Sequence, residues 1–586
     1  MAIETASKTA ASAAPVPGAV PDQEADNLTL QRIYHWEKYR AKEIFLTQPI
    51  QGQIRDWTWE EAVDESRRMA AWLRAQHFPA GSHIAILSKN SAWWIMADIA
   101  IWMAGHASVA IYGSLTAAGA REQLEHSDSV ACFLGHTDDK HITPDALPPG
   151  IKVIALPTID PGPATPWDSI IEATPPMEES PVRGGDEVAT IMYTSGTTGA
   201  PKGARHRFRS FTGFASAVTR VVGSSPDERM LSYLPLAHIA ERALLEAAVF
   251  HNGFRLYFVE TLETFRADLR RARPTIFFSV PRLLLKFQQG VYEKVPRRKL
   301  ERLLKIPILN NIVRKKIVTE LGLDKTHLAA SGSAALPMDT LMFFRSLGLN
   351  MVEGYGMTET GITHTPKNGR SRPGFVGDAA PGVEVKIAEN GEVLVRSSMN
   401  LLDYYKNPGA LQGAMTEDGY FRTGDLGEVD PEGWLKITGR VKEQFKTSKG
   451  KYISPSLIEK QLSVHPAVEG CCVMGENMPQ PFGMVTAAAR LHSIGDDKAQ
   501  LDAFAEEMKR LLTQVNASLE PWERMAFLVV TDEHWTVSNG FLTPTLKLKR
   551  SVLEGANAIW FEEWARRGTP IVLHLTRHKL PRTHPE

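Results

Sequence analysis

Cysteine is scarce in this chain: three among 586 residues, at Cys132, Cys471 and Cys472. Neighbours such as the last two rarely bond each other, and no spacing suits a metal. A disulfide framework is therefore excluded, and a reducing, cytoplasmic setting is expected. Net charge is missing too. Lys and Arg number 66 against 67 Asp and Glu, so bulk electrostatics argue against a general nucleic-acid binder. Nor is there an unbroken apolar run. The most membrane-like stretch, Ala92 to Tyr112, is interrupted by Asp98 and His106, both costly at a bilayer centre, and a buried helix is the better reading. Residues 1–27 are rich in Ala, Pro and small polar groups. They lack a charged start followed by an apolar block, so they read as a disordered leader rather than a secretory signal.

A chain of 586 residues is too long for one core, so two or more domains are expected. Helices are expected from Thr58 to about Gln76 and from Ala92 to about Gly105. Short apolar strands alternate with them at His83–Leu87, Ala107–Ile111, Val130–Phe133, Lys152–Ala155, Glu187–Tyr193, Met230–Tyr233, Arg255–Phe258, Thr275–Ser279 and His327–Ser331. That alternation implies parallel sheets with crossover connections. The proline-rich segment Pro144 to Pro181 reads as a connection between layers. Past about Pro381 the texture changes to short strands punctuated by Gly, Asp-Pro and Asn-Gly turns, as in a small antiparallel subdomain or barrel. A mixed unit with an amphipathic helix from Asp502 to about Asn516 follows. The expected fold is α/β: residues 28–439 as a large N-terminal domain of layered α/β subdomains plus the barrel-like piece, and residues 440–586 as a smaller, mobile α+β domain hinged at 439–443.

The densest chemical signal is residues 193–203, Tyr-Thr-Ser-Gly-Thr-Thr-Gly-Ala-Pro-Lys-Gly. Glycines let backbone N–H groups approach an anion, hydroxyls add neutral donors, and Lys202 adds a mobile positive charge. This is a phosphate-gripping loop. It is not a Walker A loop, which would end in Gly-Lys-Ser/Thr and run straight into a helix.

Three further constellations follow in order. In Glu353-Gly354-Tyr355-Gly356-Met357-Thr358-Glu359, glycines flank an aromatic that can stack on a base. There Thr358 can donate to a phosphate oxygen, and Glu359 offers a hard oxygen to Mg²⁺. Tyr420 to Leu426, with Thr438 to Lys442, brings Asp425, whose carboxylate can accept from both hydroxyls of a ribose, and Arg440 with its fixed donor fork. Near the end, Asn539 to Arg550 places lysines on a turn beside Thr-Pro-Thr, able to reach a cleft. Taken singly, the Gly-Tyr-Gly turn, Asp425, Arg440 and the last lysines are each as well explained as ordinary turns, caps or solvated faces.

Together and in this order they resemble the adenylate-forming superfamily of acyl-CoA synthetases, luciferases and peptide-synthetase adenylation domains, across roughly Trp36 to Arg550. Leu234–Arg242, Ser279–Arg282, Phe445–Ile453 and Leu542–Lys547 look like long-chain fatty acyl-CoA synthetases. The resemblance implies an enzyme that joins a fatty acid to ATP, giving acyl-AMP and pyrophosphate, and then forms a thioester with CoA. It implies that Thr194, Ser195, Gly196, Thr197, Thr198, Gly199 and Lys202 cradle the β and γ phosphates. Ser333 and Ala334 would line the adenine and acyl pocket, with Glu353, Gly354, Tyr355 and Gly356 around the adenine. Thr358 would contact the α-phosphate, Glu359 would bind Mg²⁺, and Asp425 with Arg440 would hold the ribose. Lys547 aligns with the adenylation lysine, His238 with a residue beside the reacting carboxylate, and Lys442 with the hinge. Two departures stand out: Leu546 replaces the usual glycine before the lysine, and Arg242 occupies the place of a tryptophan gate found in some bacterial long-chain enzymes.

Two rivals remain open at this point. A fatty acyl-AMP ligase would pass its product to a carrier protein's phosphopantetheine instead of CoA. A non-catalytic nucleotide- or lipid-binding module would lack one of Lys202, Glu359, Asp425 and Lys547, and all four are present. Residues 282–316 interleave basic side chains with Leu, Ile and Phe, a pattern suited to lying on anionic lipid or, equally, to a solvated helix pair. Acyl chain length and oligomeric state are not encoded in any motif.

Overall fold

The structure, a computed structural model, describes residues 28–194, 202–223, 225–543 and 547–576. The expected leader at 1–27 lies outside them. The N-terminal region is built on an eight-stranded sheet. Its order is Asp403–Tyr404, Lys202–Arg207, Val188–Thr194, Ala107–Tyr112, His83–Ser88, Ser129–Leu134, Lys152–Ala155 and Thr165–Pro166. From Val188–Thr194 to Thr165–Pro166 the strands run parallel, whereas Lys202–Arg207 pairs antiparallel with both of its neighbours. The proline-rich segment is thus more than a connection: it supplies the last strand of this sheet and the helix Trp167–Ala173.

Two helices cover one face. Trp59–Ala75 opens with a capping box in which Thr58 and Glu61 satisfy each other's backbone N–H groups. Ala92–Met103 is buried along its whole length, as expected of the membrane-like run, and no helix among the described residues is long and apolar enough to cross a bilayer. A second sheet orders strands Arg229–Ser232, Arg255–Phe258, Ile44–Ile50 and Gln53–Thr58. The neighbouring parallel trio Ile276–Ser279, Leu328–Ser331 and Met351–Glu353 is tied to it by Thr275, whose N–H donates to the Arg229 carbonyl at 3.0 Å.

Beyond residue 381, strands Glu384–Ile387, Glu392–Arg396, Phe421–Val429 and Leu435–Arg440 form an antiparallel sheet. The smaller C-terminal region packs helices Pro455–Leu462 and Lys498–Asn516 on a mixed sheet of Gly470–Met474, Phe482–Thr486, Leu528–Thr531 and Ile571–His574. The α/β class with a large and a smaller part agrees with the sequence reading.

Candidate active site

The phosphate-loop motif spans a β-hairpin. Thr194 pairs with Lys202 at the loop end of the ladder, and Ser195, Gly196, Thr197, Thr198 and Gly199 lie outside the described residues. Strand Lys202–Arg207 is anchored on its far side by the ion pair of Arg205 with Asp403, Nε to Oδ1 2.6 Å. This brings Tyr404 over the hairpin: the Lys202 ammonium lies 5.4 Å from the centre of its ring.

Tyr404 also donates its hydroxyl to Glu359 Oε1 at 3.0 Å. One side chain therefore links the lysine of the first motif to the carboxylate of the second. The same strand contributes His206, whose Nε2 donates to the Thr358 carbonyl at 2.8 Å. Burial lowers the His206 pKa to about 4, so the ring is neutral near pH 7 and this bond fixes its proton on Nε2. Upstream, Gly356 passes so close to Gly361 that a Cβ would sit 2.1 Å from the Gly361 carbonyl oxygen, so only glycine fits. Tyr404 and His206 belong to no motif, and nothing in the sequence pattern singled them out.

Tyr355 donates to Asp425 Oδ2 at 2.7 Å, and Arg440 Nε donates to Asp425 Oδ1 at 2.8 Å. Asp425 and Arg440 are cross-strand partners, so two separated motifs meet because their strands pair. Glu353 turns inward. Its carboxylate is buried and accepts the Leu336 N–H at 3.1 Å, so it braces the 331–336 loop. Gly354 N–H donates to the Ser331 carbonyl at 3.0 Å. Ser333 and Ala334 are exposed beside it, with Ser333 in a left-handed conformation at φ 65°.

His238 caps the helix that starts at Ile239: its Nδ1 accepts the Ala240 N–H at 3.1 Å. Burial, reinforced by the charge of Lys547, lowers its pKa to about 3. The ring is neutral, and with Nδ1 occupied as an acceptor the proton sits on Nε2. Lys547 is exposed to solvent yet has protein packed around it. That crowding, with Arg440 adding to it, lowers its pKa, while Asp425, Glu359 and Glu443 oppose the shift. Burial raises the Glu359 pKa, and Lys547 and Lys202 counter it. The lysine from the C-terminal region thus lowers the pKa of His238 and of Glu359, and Lys202 also lowers that of Glu359. Lys442 is exposed on the short 3-10 turn Val441–Glu443 between the two regions.

Among the described residues no three His, Cys, Asp or Glu side chains cluster as a self-contained metal site. A Mg²⁺ ion shared between protein and substrate phosphates needs only one or two carboxylates. Glu359, whose Oε1 is held by the Tyr404 hydroxyl, offers one such carboxylate.

The profile of AMP-binding enzymes matches residues 34–405, and that of the AMP-binding enzyme C-terminal domain matches residues 442–534. The chain belongs to the AMP-binding enzyme family. Relatives of this AMP-binding enzyme include the long-chain-fatty-acid–CoA ligase FadD15 of Mycobacterium bovis, 29% identical over 92% of this chain and 97% of the relative. Human long-chain-fatty-acid–CoA ligase 6 is 27% identical over 85% and 80%. Among solved structures, the adenylation domain of a carboxylate reductase from Mycobacterium chelonae superposes with a TM-score of 0.78 at 21% identity, covering 94% and 92% of the two chains. The anthranilate CoA ligase AuaEII in complex with anthranoyl-AMP gives 0.74 at 19% identity, covering 91% and 97%. At these identities the two structures speak for the fold of the AMP-binding enzyme.

Proposed function

We propose that this AMP-binding enzyme is an ATP-dependent fatty acid–CoA ligase for a medium- or long-chain acid. A carboxylate oxygen attacks the α-phosphorus of ATP. The bond to the β-phosphate breaks, and its electron pair leaves with pyrophosphate. The CoA thiolate then adds to the acyl carbonyl, and AMP departs. The observation that carries this reading is the way the separate motifs meet: Tyr404 links Lys202 to Glu359, and Tyr355 and Arg440 both donate to Asp425.

Two anions must meet in the first step, and a preplaced cation at Lys547 lowers that barrier without reorganisation. His238, neutral with Nε2–H available, donates to the incoming carboxylate and adds no competing positive charge. Asp425 and Arg440 hold the ribose, Tyr355 covers the adenine, and Thr358 with the 194–199 loop and Lys202 grip the phosphates. Glu359 would hold Mg²⁺, which neutralises polyphosphate charge. Relatives bearing the name long-chain-fatty-acid–CoA ligase over nearly the whole chain favour a fatty acid.

AMP release with acids of graded length, measured with and without CoA, tests the reading. Turnover that requires CoA and peaks at long chains agrees with it. A tightly held acyl-adenylate indifferent to CoA would make the enzyme an acyl-AMP ligase for a carrier protein, and no AMP at all would make it a binding module.

The finer setting is a cytoplasmic enzyme with peripheral membrane contact through residues 282–316. Helix Leu309–Glu320 buries no residue, and Ile306, Ile308 and Ile312 are exposed beside Lys305, Lys315 and Lys316. Ile308 even holds a left-handed φ of 70°, rare for a β-branched residue. The surface is narrower than the whole segment: Arg297 pairs with Asp339 and Glu301, Arg314 caps the Ser346 carbonyl, and Leu284 and Leu300 are buried. Exposed isoleucines among lysines suit anionic lipid. Flotation with phosphatidylserine vesicles should fall on neutralising Lys305, Lys315 and Lys316, and unchanged flotation refutes the contact.

A further inference from the structure

The loop that delivers His238 leaves strand Arg229–Ser232 and enters the helix at Ile239 without joining any sheet. Its backbone groups still need partners. A single side chain from a distant part of the chain supplies two of them. Asn90 follows strand His83–Ser88, and its Oδ1 accepts the Leu236 N–H at 2.9 Å. Its Nδ2 donates to the Leu234 carbonyl at 2.6 Å and to Ser232 Oγ at 2.8 Å. Buried Glu241 closes the arrangement from the other side: Oε1 accepts from Ser232 Oγ at 2.8 Å and from the Tyr233 N–H at 3.0 Å. His238 N–H then turns back onto the Pro235 carbonyl at 2.8 Å.

The anchor itself is rigid. Ser91 caps the helix Ala92–Met103, its Oγ accepting the Trp94 N–H at 3.2 Å, and Gln48 Oε1 accepts the Ala92 N–H at 2.9 Å. On the far side of His238, Arg242 is fixed separately by Asp98 at 2.9 Å. The stretch 232–238 is therefore held at its exit by Arg242 and at its entry by Asn90 with Glu241. An amide is the one small side chain that offers two donors and an acceptor in a plane. Aspartate in its place would face the Leu234 carbonyl with a negative oxygen.

We propose that Asn90, with Glu241 as its partner, is a positioning residue that sets where the His238 Nε2–H meets the substrate carboxylate. This rests on the role given to His238 above. ATP is bound by other elements, so the clamp should govern the acid and leave the nucleotide untouched.

Acid-dependent ATP–pyrophosphate exchange, with the acid and ATP varied in turn, tests it on the full chain. Asn90→Ala should lower kcat/KM for the acid by about 10²-fold, the scale of an ångström-sized misplacement, with the KM for ATP changed by less than about twofold. Glu241→Ala should show the same selective loss, and Glu241→Gln should restore most of it, because the carboxamide oxygen still accepts the Tyr233 N–H. In a His238→Ala background, Asn90→Ala should add nothing. Multiplying losses in the double variant, or equal losses for acid and ATP, would overturn the proposal. Should Asn90→Ala fail to fold, Ser232→Ala removes one hydroxyl from the same clamp, and unchanged acid kinetics in that variant would equally sink it. Absence of exchange by the unaltered enzyme would instead refute the ligase reading itself, and a fully active His238→Ala would refute the route through His238.

Discussion

At the scale of single residues, Lys547 carries the sharpest test. Its positive charge is useful only while two anions combine, so Lys547→Ala should cost adenylation about 10²–10³-fold, as for loss of a preorganised transition-state partner. Thioester formation from supplied acyl-adenylate should change little, and equal loss in both half-reactions would end the assignment. Crowding lowers its pKa, so the adenylation rate should begin to fall with rising pH earlier than an ordinary lysine would dictate, as the cation is lost. Lys547, Glu359, Asp425 and Arg440 could be named as candidates from the sequence because their motifs follow one another in an order that resembles a known superfamily; singly, a charge at a turn has many uses. Tyr404, His206 and Asn90 were not. Their partners Glu359, Thr358 and Leu236 lie 45, 152 and 146 residues away, and no local pattern encodes contacts across such distances. Glu353 shows the converse: a carboxylate inside a ligand motif that turns inward to serve the backbone at Leu336, a contact the motif does not announce.

At the scale of elements, the helix after His238 is unusual. Its middle, Arg242–Glu246, is π-helical, which puts Arg242 fully buried between Asp98 at 2.9 Å and Glu246 at 3.3 Å, its guanidinium 5.0 Å from the Trp94 ring centre. Burial raises the pKa of both carboxylates, against the pull of Arg242. Removing only the cation leaves two buried acids uncompensated, so Arg242→Met should cost about 3–5 kcal/mol, while adding Asp98→Asn and Glu246→Gln should recover most of it. Denaturation midpoints decide the matter, and a single variant no worse than the triple would refute the triad. The turn Val441–Glu443 offers a second element-scale test. Arg440 before it is extended, with φ −129° and ψ 138°, the geometry favoured ahead of proline, and proline suits the first position of a helical turn. If the C-terminal region turns about this point between the two half-reactions, Val441→Pro should therefore keep adenylation within about threefold but slow thioester formation at least about tenfold, because a locked φ resists such a rotation. Unimpaired thioester formation would argue against a hinge here. Elements with strong local signals, such as the capped helix Trp59–Ala75, were readable beforehand. Strands Ile44–Ile50 and Gln53–Thr58 were not, since the first is buried through its middle without alternation and the second exposes its first four residues.

At the scale of the whole molecule, buried titratable groups predict a stability optimum in pH. Burial holds His206 at about 4 and His251 and His364 at about 3, against about 6.5 when unfolded. A depressed pKa gives stability that is complete above the unfolded value and is lost as pH falls toward the folded one. Each of these histidines therefore favours unfolding by ~1.4 kcal/mol per pH unit on acidification below about 6.5. Glu241 works the other way. Burial raises its pKa to about 8, against the hydrogen bonds from Ser232 and Tyr233, so its contribution is complete below the unfolded carboxylate value and fades as pH rises through about 8. Asp98 and Glu246 share that sign. Between about pH 6.5 and 4.5 the two sets partly cancel, and the acid limb should be shallow. Below about 4.5 the buried carboxylates are protonated in both states and the histidines act alone, so the loss should steepen. Above about 6.5 the histidines are silent and Glu241 erodes stability. The thermal midpoint should thus peak near pH 6.5, and Glu241→Gln, which cannot ionise, should make the limb from 6.5 to 8 shallower, with Asp98 and Glu246 keeping the remainder, while leaving the acid limb below 4.5 in place. An alkaline limb that keeps its full slope in that variant would show that the proton lost on that side comes from another group.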